Sequence, residues 1–130
     1  MLLIDTDICS YAIKSRQSIA AKLSSIDPAT WAISAITHHE LSYGANLPGV
    51  SGELVDRVER FLAAVKTLEF DMAAATRAGL VRVELRQKGL ASGLFDELIA
   101  GHAISIGAKL VTNNSKHFSN ITGLSIETWS

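Results

Sequence analysis

The sequence predicts an α/β fold built on a mostly parallel sheet, and three observations carry that expectation. Short apolar runs alternate with longer stretches at helical spacing. Turn-forming residues fall between them, as at Ile26-Asp27-Pro28, around Asn46-Leu47-Pro48-Gly49, and at Gly89 and Gly107. Finally, Asp5, Glu40 and Asp96 each stand where an apolar run gives way to a helical pattern. Strands that alternate with helices require right-handed crossovers, and these join parallel strands.

The elements follow in order. Leu2-Leu3-Ile4 is a short strand broken by Asp5-Thr6-Asp7, after which Ile8, Tyr11 and Ala12 take helical spacing. Residues 31–36 read as a second strand stopped by Thr37, and residues 41–45 continue a helix that the Pro48-Gly49 loop ends. Residues 53–66 place Leu54, Val58, Phe61, Leu62 and Val65 on one helical face. Residues 67–70 are a third strand. Asp71 can cap the Ala-rich helix that runs to Lys88 and stops at Gly89. Gly93-Leu94-Phe95 leads through Asp96 into a helix carrying Leu98, Ile99, His102, Ala103 and Ile106. Residues 109–112 are a buried strand, and residues 124–127 a last one. Residues 1–130 read as one domain without repeats or linkers.

Composition narrows the function classes. The chain is 48% hydrophobic and 19% charged, which excludes disorder and hints that a partner covers some apolar surface. Twelve basic against thirteen acidic residues give a net charge of -1, so bulk charge does not hold nucleic acid here. Cys9 is the only cysteine, which excludes a disulfide framework or a cysteine zinc site and reads as a small buried residue. The four residues before Asp5 are too few for a secretory core, and no apolar run nears the ~20 residues of a membrane span. A cytoplasmic protein without membrane attachment is the expectation.

Carboxylates at the ends of parallel strands meet in one crevice, and there they repel. A hard divalent ion with oxygen ligands relieves the repulsion, so the pattern predicts an acidic site for Mg²⁺ or Mn²⁺. Local roles compete with this. Thr37-His38-His39-Glu40 has the form of a capping box with Thr37 as N-cap, and Asp7 and Asp71 read as simple N-caps. Asp96 could be an anion at a helix N-terminus. Asp5 ends a strand and does not start a helix.

The adjacent His38 and His39 make poor joint ligands, His102 reads as a hydrogen-bonded core residue, and His117 could sit at the crevice rim. Thr112-Asn113-Asn114 can orient a carboxylate without adding charge, or serve a turn. Arg77, Arg82, Arg86 and Lys88 read as a solvated face paired to Glu84, with a phosphate-contacting rim as the alternative.

Four motifs occur in order: Ile4-Asp5-Thr6-Asp7; Ile36-Thr37-His38-His39-Glu40-Leu41 with Gly44; Asp96-Glu97-Leu98-Ile99-Ala100-Gly101-His102-Ala103; and Leu110-Val111-Thr112-Asn113-Asn114. Together they resemble the PIN-domain ribonucleases, most closely the VapC toxins of bacterial toxin–antitoxin pairs, over essentially the whole chain. The ending from Phe118 through Gly123-Leu124 to Glu127-Thr128-Trp129 is similar too.

The resemblance implies a three-layer α/β/α domain around a short parallel sheet, cutting single-stranded RNA with Mg²⁺ or Mn²⁺. It implies Asp5, Glu40 and Asp96 as catalytic residues. Asp5 and Asp96 would be the metal ligands, with Glu40 binding directly or through water. It also implies a VapB-type antitoxin folding over the crevice, a homodimer, and a tRNA substrate, preferably its anticodon loop. Three departures stand out. Asn114 occupies the place of a fourth acid, which weakens the case for two tightly held metals. His117 stands where related chains carry a glutamate, and Asp7 where an asparagine is usual.

Three rivals are weaker. A phosphotransfer enzyme with Asp5 as nucleophile and Asp7 as general acid would need a Thr or Val in place of Cys9, and a cap domain. A receiver-like module would use Asp5 and Asp7 for Mg²⁺ and Asp71 as phosphoacceptor, with Lys116 only loosely placed. A binding-only PIN fold sits badly with a complete Asp5, Glu40 and Asp96 set.

Overall fold

The computed structural model describes residues 1–14, 17–90 and 92–129. The strands are β1 (Leu2–Ile4), β2 (Trp31–Ser34), β3 (Thr67–Leu68), β4 (Lys109–Thr112) and β5 (Ile126–Thr128). The helices are α1 (Thr6–Ile13), α2 (Gln17–Ser25), α3 (Ala35–Ala45), α4 (Gly52–Ala64), α5 (Met72–Gln87) and α6 (Leu94–Ser105). All strand pairs are parallel, in the order β3-β2-β1-β4-β5. The chain thus starts in the middle of the sheet, builds to one side, then crosses β1 to build the other.

Side chains alternate across a strand, and this splits the core in two. Leu3 and Leu110 face Val81 and Leu85 of α5 and Ile99, Ala100 and Ala103 of α6. Their neighbours Ile4 and Val111, with Ile33, face Ile8, Cys9 and Ile13 of α1, Ile19 and Leu23 of α2, and Val58 of α4. The expected three layers follow directly: helices must cover both faces of a sheet that is apolar on both. Each such buried aliphatic side chain contributes roughly 1.5–3 kcal/mol. Cys9 is buried in this core, as its isolation suggested.

The α5–α6 pair packs closest. A Cβ on Gly101 would lie 2.4 Å from the Cα and N of Ala78, so only glycine admits this helix contact. Gly89 and Gly107, anticipated as helix stops, take positive φ of 69° and 65°, where L side chains are strained.

Some sequence boundaries move. The second strand ends at Ser34, two residues early, because the Ser34 hydroxyl accepts from the Ile36 N–H and starts α3 there. The last strand begins at Ile126 and not Leu124, after a turn in which Gly123 takes φ 83°. Helix α2 was not anticipated: it buries only Ile19 and Leu23, too few apolar positions to announce a period.

Candidate functional site

In an open parallel sheet, the strand order reverses at one point, and the loops leaving the two strands there open a crevice. Here that point lies between β1 and β4. Asp5 leaves β1 on one side of it and Thr112 ends β4 on the other. The Asp5 N–H donates to the Val111 carbonyl (2.8 Å), and the Thr112 hydroxyl donates to Asp5 Oδ2 (2.7 Å). Asp5 Oδ1 accepts from the Thr6 N–H at 2.8 Å. Asp5 therefore both ends the strand and caps α1, which corrects the expectation that it starts no helix. It is only 4% exposed.

Asp7, by contrast, is not an N-cap. It sits one residue inside α1, with Oδ1 accepting from the Ile8 N–H (2.7 Å) and Oδ2 from the Asn113 N–H (3.1 Å). It belongs to the crevice. The Thr112-Asn113-Asn114 segment does what was expected, holding both carboxylates with neutral donors. The Asn114 N–H donates in turn to the Thr112 hydroxyl at 3.0 Å.

Glu40 corrects the capping-box reading. Ser34 is the cap of α3, Thr37 lies inside the helix, and Glu40 lies further along it. Its Oε1 meets the Thr6 hydroxyl at 2.7 Å, and that hydroxyl also meets the buried Thr37 hydroxyl at 3.0 Å. Thr6 has one proton, which the shorter contact assigns to the carboxylate, so Thr37 donates to Thr6 and Thr6 to Glu40. Nor does Glu40 stand at a strand end, as its place in the pattern suggested.

Asp96 arrives by another route. It lies in the first turn of α6, a helix that follows α5 with no strand between them among the described residues. A half-exposed His117 places Nδ1 2.8 Å from Asp96 Oδ2 and 2.9 Å from Asn114 Nδ2. A nitrogen that donates to Asp96 cannot also accept, so the Asn114 amide must turn its oxygen to the ring. His117, left open by the sequence, is thus a direct neighbour of Asp96.

The electrostatics show that these groups share one field. Burial, then the Asp7 charge, push Asp5 up to about 7 despite the Thr112 and Thr6 hydrogen bonds, and Asp96 adds to the rise. Burial raises Asp7 too, and Asp96 again contributes. Glu40 is raised by burial, with Asp96 and Asp7 adding and Thr6 opposing. Like charges in a partly buried crevice account for all three. Among the described residues, no three acidic, histidine or cysteine side chains close on one point as a ready-made ion cage. The donor set is nevertheless entirely oxygen, with carboxylates in excess of nearby cations, and this is the chemistry that suits a hard divalent ion.

The remaining expectations divide. His102 is buried and bonded to the Ser34 hydroxyl at 2.8 Å, with burial lowering its pKa, so it belongs to the core. Asp71 caps α5 through the Ala74 N–H (2.9 Å) behind β3, the edge strand, with β2 between it and β1. The receiver-like alternative therefore has its phosphoacceptor in the wrong place. Of these four basic residues, Lys88 at the end of α5 is the one that pairs with Glu84 among the described residues (3.0 Å); Arg82 lies 3.7 Å from Glu97. Thr6 was missed altogether, because a threonine after an aspartate carries no signal of a partner far along the chain. His39 and Phe95, flanking Glu40 and Asp96, bring their rings to 5.4 Å. An apolar cavity of about 350 Å³ opens beside Thr6 and Glu40, and another of about 400 Å³ lies under Trp31, away from the acids. No helix among the described residues is long and apolar enough to cross a membrane.

Comparison with known proteins agrees with this fold. The PIN domain family model matches residues 2–124. Over 128 residues the chain is 37% identical to the tRNA(fMet)-specific endonuclease VapC of Shigella flexneri, spanning 98% of this chain and 97% of that one. The crystal structure of DNA-bound VapBC from Salmonella typhimurium superposes with a TM-score of 0.92 at 36% identity, covering 99% of this chain and 98% of the other. That of VapBC2 from Rickettsia felis, bound to a promoter DNA fragment, gives 0.90 at 37% identity with the same coverage.

Proposed function

Because the chain belongs to the PIN domain family, we propose that it is a Mg²⁺- or Mn²⁺-dependent endoribonuclease, the toxin of a toxin–antitoxin pair. The observation that carries this reading is the convergence of Asp5, Asp7, Glu40 and Asp96 on the crevice at the β1/β4 switch point.

Asp5 and Asp96 are the residues that would hold the ion, with Asp7 adjoining. A bound ion of this kind lowers the pKa of water and neutralises phosphate charge. The chain's own residues do the rest. Thr112 and the Thr6 N–H orient Asp5, so that its carboxylate faces the crevice in one rotamer. Thr6 holds Glu40 by one oxygen and leaves Oε2 to orient the attacking water. His117 restrains Asp96, and Asn114 in turn holds the His117 ring. Asn114 supplies no fourth charge, whereas Asp7 does, from the opposite wall.

The proposed substrate is a tRNA. The Shigella flexneri relative bears tRNA(fMet) specificity in its name, so initiator tRNA is the first to test. Within it the anticodon loop is the preferred target, because unpaired bases can be splayed and read where duplex cannot. The partner proposed is a VapB-type antitoxin, since the Salmonella and Rickettsia structures are VapBC complexes. Homodimerisation and a cytoplasmic location complete the reading.

The test is cleavage of purified tRNA by the isolated protein, with Mg²⁺ or Mn²⁺, with EDTA, and with Asp96→Asn alongside. Discrete fragments that vanish with EDTA and with the variant are expected. Intact tRNA in every lane would overturn the substrate; intact RNA of every kind would overturn the nuclease.

A further inference from the structure

On the other flank of the first turn of α6 lies a pocket lined by Arg82 and Arg86, two residues of the basic face that the ribonuclease reading leaves unused. Arg82 and Arg86 stand one turn apart on α5, so their side chains share a face. Together with Gly89, Leu90, Ser92, Leu94 and Glu97 they line a recess of about 330 Å³. Three further observations describe an anion's environment. Arg82 meets Glu97 at 3.7 Å, which leaves Arg86 as a guanidinium with no ion-pair partner among the described residues. The Ser92 hydroxyl oxygen is buried and has no hydrogen-bond partner among the described residues. Helix α6 opens at Gly93 with no side-chain cap, so its positive end lies at the same mouth.

The pocket adjoins the acidic crevice. Leu94 and Glu97 line it, while Asp96, between them in the same turn, belongs to the crevice. A Cβ on Gly93 would lie 3.7 Å from Asp96 Oδ2, so the chain entering α6 touches both. A polyanion held at the acids would therefore pass the same turn of α6 whose other flank lines the Arg86 recess.

We propose that the Arg82–Arg86–Ser92 pocket is a phosphate subsite that takes a neighbouring phosphodiester of the RNA strand. This rests on the ribonuclease reading above and deepens it. The subsite answers a difficulty of charge. With a net charge of -1 and an acidic crevice, the chain as a whole does not attract a polyanion. A guanidinium beside the crevice supplies local attraction, and its planar fork matches phosphate oxygens. The Ser92 hydroxyl adds a donor without further charge. An acidic protein segment would satisfy the arginines equally, but has less need of a site adjoining the carboxylates.

The experiment measures tRNA binding to the Asp96→Asn protein across a salt series, alone and with Arg86→Gln, Arg86→Lys or Arg77→Gln added. Arg77 lies on the same helix but lines a different recess. Arg86→Gln should weaken binding at least five-fold and flatten the slope of log K against log salt by about 0.7, one single-strand phosphate contact. Arg86→Lys should restore the slope but not all the affinity, and Arg77→Gln should change neither. Equal losses in Arg86→Gln and Arg77→Gln overturn the subsite. So does unchanged tRNA binding by Arg86→Gln when a polyglutamate peptide binds in an Arg86-dependent way. Arg86-dependent binding without cleavage of tRNA by the unaltered chain overturns tRNA as the substrate and leaves the subsite standing. Absence of any tRNA binding overturns the subsite and the tRNA substrate together.

Discussion

Removing the Asp5 carboxylate should make the metal-free protein more stable while abolishing cleavage. Asp5 has an ordinary pKa of 3.8 and is pushed up to about 7 in the fold, chiefly by burial and next by Asp7. The folded protein thus binds this proton more tightly than the unfolded chain does. The sign follows: the group's contribution is fully present below about pH 4 and is lost as pH rises through 7. By pH 8 the ionised carboxylate costs the fold up to ~4 kcal/mol, at ~1.4 kcal/mol for each pH unit of the interval. Asp5→Asn removes the charge. Its Oδ1 still accepts from the Thr6 N–H as a helix cap, and the Thr112 hydroxyl can turn to accept from Nδ2. Exchanging charge-assisted for neutral hydrogen bonds returns ~1–2 kcal/mol of that gain. The net expectation is a variant about 2 kcal/mol more stable at pH 8. Urea unfolding in EDTA, followed by tryptophan fluorescence at pH 8 and pH 5, measures it. The advantage should shrink by roughly 2 kcal/mol at pH 5, where the unaltered Asp5 takes up its proton. An Asp5→Asn protein no more stable at pH 8, or an advantage indifferent to pH, would refute this account of the crevice.

Other expectations test the fold and the site separately. With saturating Mn²⁺ the unaltered protein should gain stability, ~2.7 kcal/mol at a hundredfold excess over Kd, and calorimetry should show no such gain for Asp5→Asn or Asp96→Asn. Thr6→Val should lower kcat on tRNA about ten-fold, with KM held, because Glu40 loses the Thr6 hydroxyl donor; Thr6→Ser should restore it. Gly101→Ala should destabilise by about 2 kcal/mol, since the new methyl would strike the backbone of Ala78. Gly79→Ala, in the interior of α5 with open space around it, should instead stabilise by ~0.5–1 kcal/mol in the same melting experiment.

The parts of this protein legible in its sequence are those specified by neighbours along the chain. Residues 2–4 and 109–112 are legible with their true boundaries because each carries an apolar pair, Leu3-Ile4 and Leu110-Val111, that buries on both faces and is followed closely by turn-forming polar residues. Gly89 and Gly107 were read as helix stops because a positive φ leaves little choice of residue. Where two local signals competed, the reading slipped. Ser34 and Thr37 can each cap a helix, and only the hydrogen bond from the Ile36 N–H shows that Ser34 does so.

The order of the acidic motifs was enough, through resemblance, to single out Asp5, Glu40 and Asp96. Which carboxylates share a field was settled in three dimensions. Asp7 looked like a local cap and proved to be bonded to Asn113, far along the chain, because β1 and β4 are neighbours in the sheet. Thr6 reaches Glu40 only because α1 and α3 leave adjacent strands on the same side. Arg86 and Ser92 form one pocket only because α5 turns directly into α6. Sequence determines what each short segment can become, since propensity and capping act within a few residues. The site depends on contacts that strand order alone brings about, and strand order is written in no single segment.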